Sequence, residues 1–141
     1  MSSSAYSHPR YYEVLLHTAK QMLLDHHSEI AVVTAQMACE IFAEIALSEI
    51  FRSKSLSYLE DPIDELLPNY NFANDKVRRL YVALTGDKIH HAFFWEDYKR
   101  MVALRNKAVH AGGRVPKEQA EVGVRTAEHF IAHLSRILKS L

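Results

Sequence analysis

The sequence holds one cysteine, four glycines, four prolines and one tryptophan in 141 residues. A single cysteine excludes an internal disulfide framework and a four-cysteine zinc site. Cys39, set in Met37-Ala38-Cys39-Glu40-Ile41, reads as a small buried hydrophobe rather than a reactive thiol. So little glycine and proline excludes a collagen, a disordered linker and a turn-rich all-β protein. Net charge is also absent, with 17 Lys plus Arg against 17 Asp plus Glu. That balance argues against a general nucleic-acid or membrane coat but leaves local patches open. No run approaches about 18 uninterrupted apolar residues, the length a bilayer span needs, so no membrane partner is expected. Met1-Ser2-Ser3-Ser4-Ala5 carries neither the charged nor the apolar region of a secretory leader, and the expected location is the cytoplasm.

What is present is a chain that is 48% hydrophobic and long enough to bury a real core. It reads as helices between short breaks, a single all-α domain over 9–141 behind a disordered or frayed segment over 1–8. Ser7-His8-Pro9 marks a helix start, since proline needs no N–H in the first turn. Val14, Leu15, Ala19, Met22 and Leu23 give the stripe, broken near His26-His27-Ser28. A second, longer helix is expected from Glu29 to about Ser53. Ile30, Val33, Met37, Ile41 and Ile45 form its main apolar line, with Ala38, Phe42 and Phe51 on adjoining faces. So wide a stripe predicts burial against more than one neighbour. Glu40 and Glu44, one turn apart, read as a solvated edge.

Asp61-Pro62 opens one or two turns that Pro68 ends. Asn74 caps a helix through Val77, Leu80, Tyr81 and Leu84, with Gly86 as its left-handed stop. Another helix runs from about Ala92 to Ala111-Gly112-Gly113. Pro116 lies at the first turn of the last helix. There Ala120, Val124, Ala127, Ile131, Leu134, Leu138 and Leu141 repeat as a heptad seam, to be packed inside the protomer or against another copy. Gly123 lies beside the seam and suits a close helix approach. The architecture is a helical bundle of two long antiparallel hairpins plus short helices.

Charge is unevenly spread. Residues 99–117 contain Lys99, Arg100, Arg105, Lys107, Arg114 and Lys117 and no acid, leaving 11 basic against 17 acidic residues elsewhere. A basic island on an acidic body can attract a polyanion. Inside it stands Arg105-Asn106-Lys107-Ala108-Val109-His110. On a regular helix Arg105 and His110 point about 140° apart, whereas Asn106 and His110 share a face. Arg105 and His110 can cooperate if the helix loosens before the glycines, or if two copies of the segment face each other. These residue types suit RNA cleavage. A neutral imidazole takes the ribose 2′-OH proton, an imidazolium protonates the leaving 5′-oxygen, and a guanidinium holds the charge on the phosphorane. No metal or other cofactor is needed.

The segment resembles the Arg-x4-6-His motif of the HEPN superfamily (higher eukaryotes and prokaryotes nucleotide-binding domains), in which a polar residue, often Asn, follows the Arg. The run Trp95–Leu104 resembles the helix that leads into the motif. The glycine pair, the proline turn and the long last helix resemble its exit. The likeness covers most of residues 9–140. It implies a helical bundle that forms a homodimer with two motifs meeting across the interface. It also implies metal-independent endoribonuclease activity on an RNA substrate, often in toxins or antiviral effectors controlled by an antitoxin or a larger defence complex. Carried over by position, His110 is the acid/base, Arg105 the phosphate binder, and Asn106 orients His110 or touches the phosphate. Lys99, Lys107 and Arg114 are the expected RNA-binding residues. Gly112 departs from the tyrosine that members paired with a nucleotidyltransferase antitoxin carry two residues after the His, so adenylylation there is not expected. The resemblance equally covers non-catalytic dimerisation or adaptor modules, and nucleotide binding between chains is a weaker third reading.

Other candidates are poorer. His129 and His133 have metal-ligand spacing, but Glu128 precedes His129 and no third ligand is evident. His26-His27 and His90-His91 read as helix edges with diverging side chains. Arg78-Arg79 and Asp87-Lys88 lack a phosphate loop. Phe93, Phe94 and Trp95 are of a type that stacks on bases, but their place at the start of a core-facing helix reads as packing.

Overall fold

The computed structural model describes residues 4–141, with side chains described for 11–110 and 112–141. Six α-helices and two 3₁₀ turns make up the described residues, with no strand among them: α1 Ser4–Leu24, α2 Ser28–Ser53, α3 Glu60–Leu66, α4 Asp75–Thr85, α5 Trp95–Ala111 and α6 Lys117–Lys139. The 3₁₀ turns are Ser57–Leu59 and Ile89–His91. The frayed segment expected over 1–8 falls partly on residues 1–3, outside the described residues, and partly on the first turn of α1.

α1 and α2 form one hairpin. Its turn places His26 at a φ of 63°, and the His27 N–H donates to the Met22 carbonyl at 2.8 Å. α5 and α6 form the other hairpin. Gly112 adopts the left-handed conformation at a φ of 59°, and the Gly113 N–H reaches back to the Lys107 carbonyl at 3.1 Å, which satisfies a terminal carbonyl of the helix. Pro116 stands just before α6 as its cap residue, one place earlier than expected. Asn74 caps α4 as expected, its side chain accepting from the N–H groups of Lys76 and Val77. Gly86 ends α4 at a φ of 74°.

α2 is the central element and packs against α1, α5 and α6. Its inward face is built mostly of small residues, Ala31, Ala35, Ala38, Cys39, Ala43 and Ala46, all fully buried. Small side chains let three helices approach one axis closely. The α6 seam resolves in favour of the protomer interior, because Ala120, Val124, Ala127, Ile131 and Leu134 are buried in the same core. Gly123 belongs to that contact, since a Cβ there would meet Met101 Cγ at 3.4 Å and Val32 Cγ2 at 3.8 Å. Tyr98, Phe130, Phe72 and Tyr81 stack and cross around the middle of the bundle. The Tyr98 hydroxyl accepts from the Phe72 N–H and donates to the Asn71 side chain, both at 3.1 Å. That pair of bonds ties the irregular segment before α4 to α5.

Among the described residues, α2 alone is long and apolar enough to cross a membrane by length and composition, and most of its apolar window is buried inside the bundle. A run with few charges, rather than an unbroken apolar run, meets that test.

Candidate active site

α5 is continuous from Trp95 to Ala111. The helix does not loosen before the glycines, so one protomer does not turn Arg105 and His110 toward each other. Arg105 lies on the α2 side of α5, and its Nη2 donates to Glu40 Oε2 at 3.2 Å. Both side chains are only about a quarter exposed, 26% and 24%. Glu40 Oε2 also accepts from Gln36 Nε2 at 3.2 Å. Glu40 is therefore not the solvated edge its spacing implied but the anchor of Arg105. Arg105 Nε and Gln36 Oε1 are buried with no partner among the described residues. His110 and Asn106 are exposed, turned about 140° and 100° around α5 from Arg105.

The basic island is partly compensated by its own surroundings. Lys99 pairs with Glu96 at 3.1 Å and Arg100 with Asp97 at 2.8 Å. Both acids lie one turn upstream, just outside the acid-free segment. Arg114 acts on Glu29, whose carboxylate accepts the Val115 N–H at 2.7 Å. That backbone bond, more than the charge of Arg114, holds the Glu29 carboxyl below the ordinary glutamate value. Lys107 lies across Gly113, where a Cβ would come within 2.5 Å of Lys107 Cγ. Lys107 and Arg100 also rim an apolar groove of about 470 Å³ between α5 and α6, floored by Met101, Leu104, Val122 and Gly123.

Beside Arg105 runs a feature that sequence reasoning misplaced. Ile30, Val33, Met37, Ile41 and Ile45 are not among the buried core residues, and of these Ile41 packs against the core from its edge. They form the outward line of α2, with Ile30 51% and Met37 44% exposed and Val33, Ile41 and Ile45 half-buried. Glu40 flanks this line, so the Arg105 guanidinium sits at its edge. Toward the C-terminal half of α2 lies an acidic hollow lined by Glu44, Glu60, Asp61 and Asp64, in which Tyr70 donates its hydroxyl hydrogen to Asp64.

The other candidates separate. His133 Nε2 meets Asp87 Oδ2 at 2.7 Å, and the Tyr81 hydroxyl donates to the same oxygen at 2.6 Å. Burial first and this bond second push the Tyr81 phenol up. The His129 ring instead crosses Phe93, so the two histidines of α6 serve different contacts. Among the described residues no group of three His, Cys, Asp or Glu side chains could hold a metal. Trp95 and Phe94 are buried, whereas Phe93 is exposed. Cys39 is buried, and burial raises its thiol far above the ordinary value. The rings of His90 and His91 do not diverge but meet edge-on, with centroids 4.5 Å apart.

No family model, curated protein or solved structure matches this chain.

Proposed function

We propose that this protein is a metal-independent endoribonuclease of the kind the HEPN resemblance implies, with an active site shared between two copies of the chain. The supporting observation is the pairing of an uncovered apolar face with a divided motif. Arg105 stands at the edge of the outward line of α2, while His110 points elsewhere from a regular helix. A second copy seated on that face would cover Ile30, Met37 and Ile41 and bring another motif alongside. Charge favours such a seat. The basic 112–115 connection lies at the N-terminal end of α2, where Glu29 holds Val115. The acidic hollow lies beside its C-terminal half. Antiparallel pairing of two α2 helices about Met37 sets the basic end of each copy near the acidic end of the other.

The chemistry is an internal transfer on the phosphodiester. The ribose 2′-oxygen bonds to phosphorus as a neutral His110 imidazole accepts its proton. The bond from phosphorus to the 5′-oxygen breaks as a protonated His110 of the second copy gives that oxygen a proton. Arg105 holds the extra negative charge on the phosphorane, and Asn106 steadies the imidazole one turn away. The products are a 2′,3′-cyclic phosphate and a 5′-hydroxyl.

The test is cleavage of single-stranded RNA by purified protein in chelator. Wild type should cleave, and His110→Ala and Arg105→Ala should each lose about two or more orders of magnitude. Cleavage undiminished in His110→Ala removes the histidine from the mechanism.

The Arg105–Glu40 bond favours a second reading, a dimerisation or adaptor module. A guanidinium engaged by a carboxylate of its own chain is a strut of the fold. On that reading wild type and His110→Ala are equally inert toward RNA, while both still associate through α2.

A further inference from the structure

A second cationic site lies away from the Arg105–His110 motif. Arg78 and Arg79 on α4 and His90 on the following 3₁₀ turn line a hollow of about 320 Å³, floored by Val82 and Ala83. The two elements meet because Gly86 turns the chain back and Asp87 is bound to Tyr81 and His133. Asp87 turns its carboxylate toward α6, and the acid beside the arginines is the exposed Asp75, which pairs with Arg78 and also feels the charge of Arg79. Arg78 is fixed. It donates to Asp75 at 2.6 Å and lies over the Trp95 ring at 5.7 Å. Arg79 is exposed and makes no ion pair among the described residues. Desolvation first, and then the charges of His91, Arg78 and Lys88, press the His90 imidazole below the ordinary histidine value, while Asp87 acts the other way. Two arginines and a histidine lining one hollow make a place of positive potential, which an anion relieves.

We propose that this hollow is a phosphate-binding subsite, in which Arg79 and His90 grip one phosphate of a single-stranded RNA and Arg78 adds a fixed charge behind it. Arginine presents paired donors that match phosphate oxygens. The apolar floor of Val82 and Ala83 suits the face of a sugar or base. The phosphate chemistry stands on the hollow alone, whereas the choice of RNA over a free phosphate compound rests on the ribonuclease reading above.

Two measurements test it. In the first, inorganic pyrophosphate is titrated into the protein while the His90 ring proton is followed by NMR. A saturating shift in wild type that disappears in Arg79→Glu is expected. No shift, or the same shift in both proteins, overturns the subsite. In the second, a 20-nucleotide RNA is bound at several salt concentrations. The Arg79→Glu/His90→Gln variant should bind at least about fivefold more weakly, and its salt slope should be shallower by about 0.7 for the one lost phosphate contact. Unchanged RNA affinity beside a positive pyrophosphate result overturns RNA as the occupant. Failure of the ribonuclease reading looks different: wild type then leaves the RNA intact, whatever its affinity.

Discussion

The Arg105–Glu40 bond offers a quantitative handle on both readings of the site. Two unit charges about 4 Å apart attract by roughly 4 kcal/mol at the effective dielectric of a protein surface. Desolvating two groups that keep a quarter of their exposure, and fixing two long side chains, offsets much of this. A coupling of about 1–2 kcal/mol should remain, in the range of hydrogen bonds to charged groups. The measurement is a double-mutant cycle with Glu40→Gln, Arg105→Ala and both together, read from urea midpoints at constant slope. Each single change should destabilise, and the double should cost less than the sum by that coupling. Additivity within about 0.3 kcal/mol refutes the contact. The same variants report on function. If Arg105 grips phosphate, Glu40→Gln releases it and RNA binds several-fold more tightly. If Arg105 only braces α5 against α2, Glu40→Gln and Arg105→Ala leave RNA affinity where it was.

Leu134→Asp should unfold the protomer rather than merely separate copies, at a cost of several kcal/mol, because Leu134 is 1% exposed in the core; circular dichroism reads the outcome. Met37→Asp should leave the helical signal intact and reduce the mass measured by sedimentation, and an unchanged mass disqualifies the α2 face as the contact. Gly123→Ala should hold or raise stability by up to about 1 kcal/mol from helix propensity, since the new methyl meets Met101 at an ordinary 3.4 Å; a clear fall in melting temperature contradicts that spacing. The Glu29 carboxyl has a lowered pKa in the fold, so its contribution is present above the unfolded value and fades as pH falls through the folded one. The protection factor of the Val115 amide, its exchange rate divided into the intrinsic rate at the same pH, should therefore fall in acid in wild type, and Glu29→Gln should remove most of that acid dependence.

Helix boundaries were legible because their signals are local. Asn74, Gly86, Gly112 and Pro68 act on the backbone within a turn of themselves, and each stands at an end of a helix or just beyond it. The burial of α2 was not legible. Its sequence offers a line of large residues, Ile30 to Ile45, and a line of alanines, and hydrophobicity alone favours the large ones. Packing chose the alanines, because only small side chains admit α1 and α6 so close. Within the site, the 140° separation of Arg105 and His110 follows from counting, and the unbroken α5 keeps it. The hold of Glu40 on Arg105 joins residues 65 apart, which no local pattern reveals. The pairing of Lys99 and Arg100 with Glu96 and Asp97 was readable at a spacing of three, and was missed because the acid-free segment was cut one turn too late. The cationic hollow needs the fold of Gly86 to bring His90 back to Arg78 and Arg79.

A helix with oil on every side has a history as well as a position. During synthesis α2 emerges with only α1 to shield it, and α6, its other large partner, begins 64 residues after Ser53. Until α6 arrives, two flanks of α2 stand open to whatever hydrophobic surface is nearby. The first hairpin is thus the stretch a nascent-chain chaperone would find most attractive. Lengthening the segment between the hairpins should lower soluble yield before it touches the stability of the finished bundle.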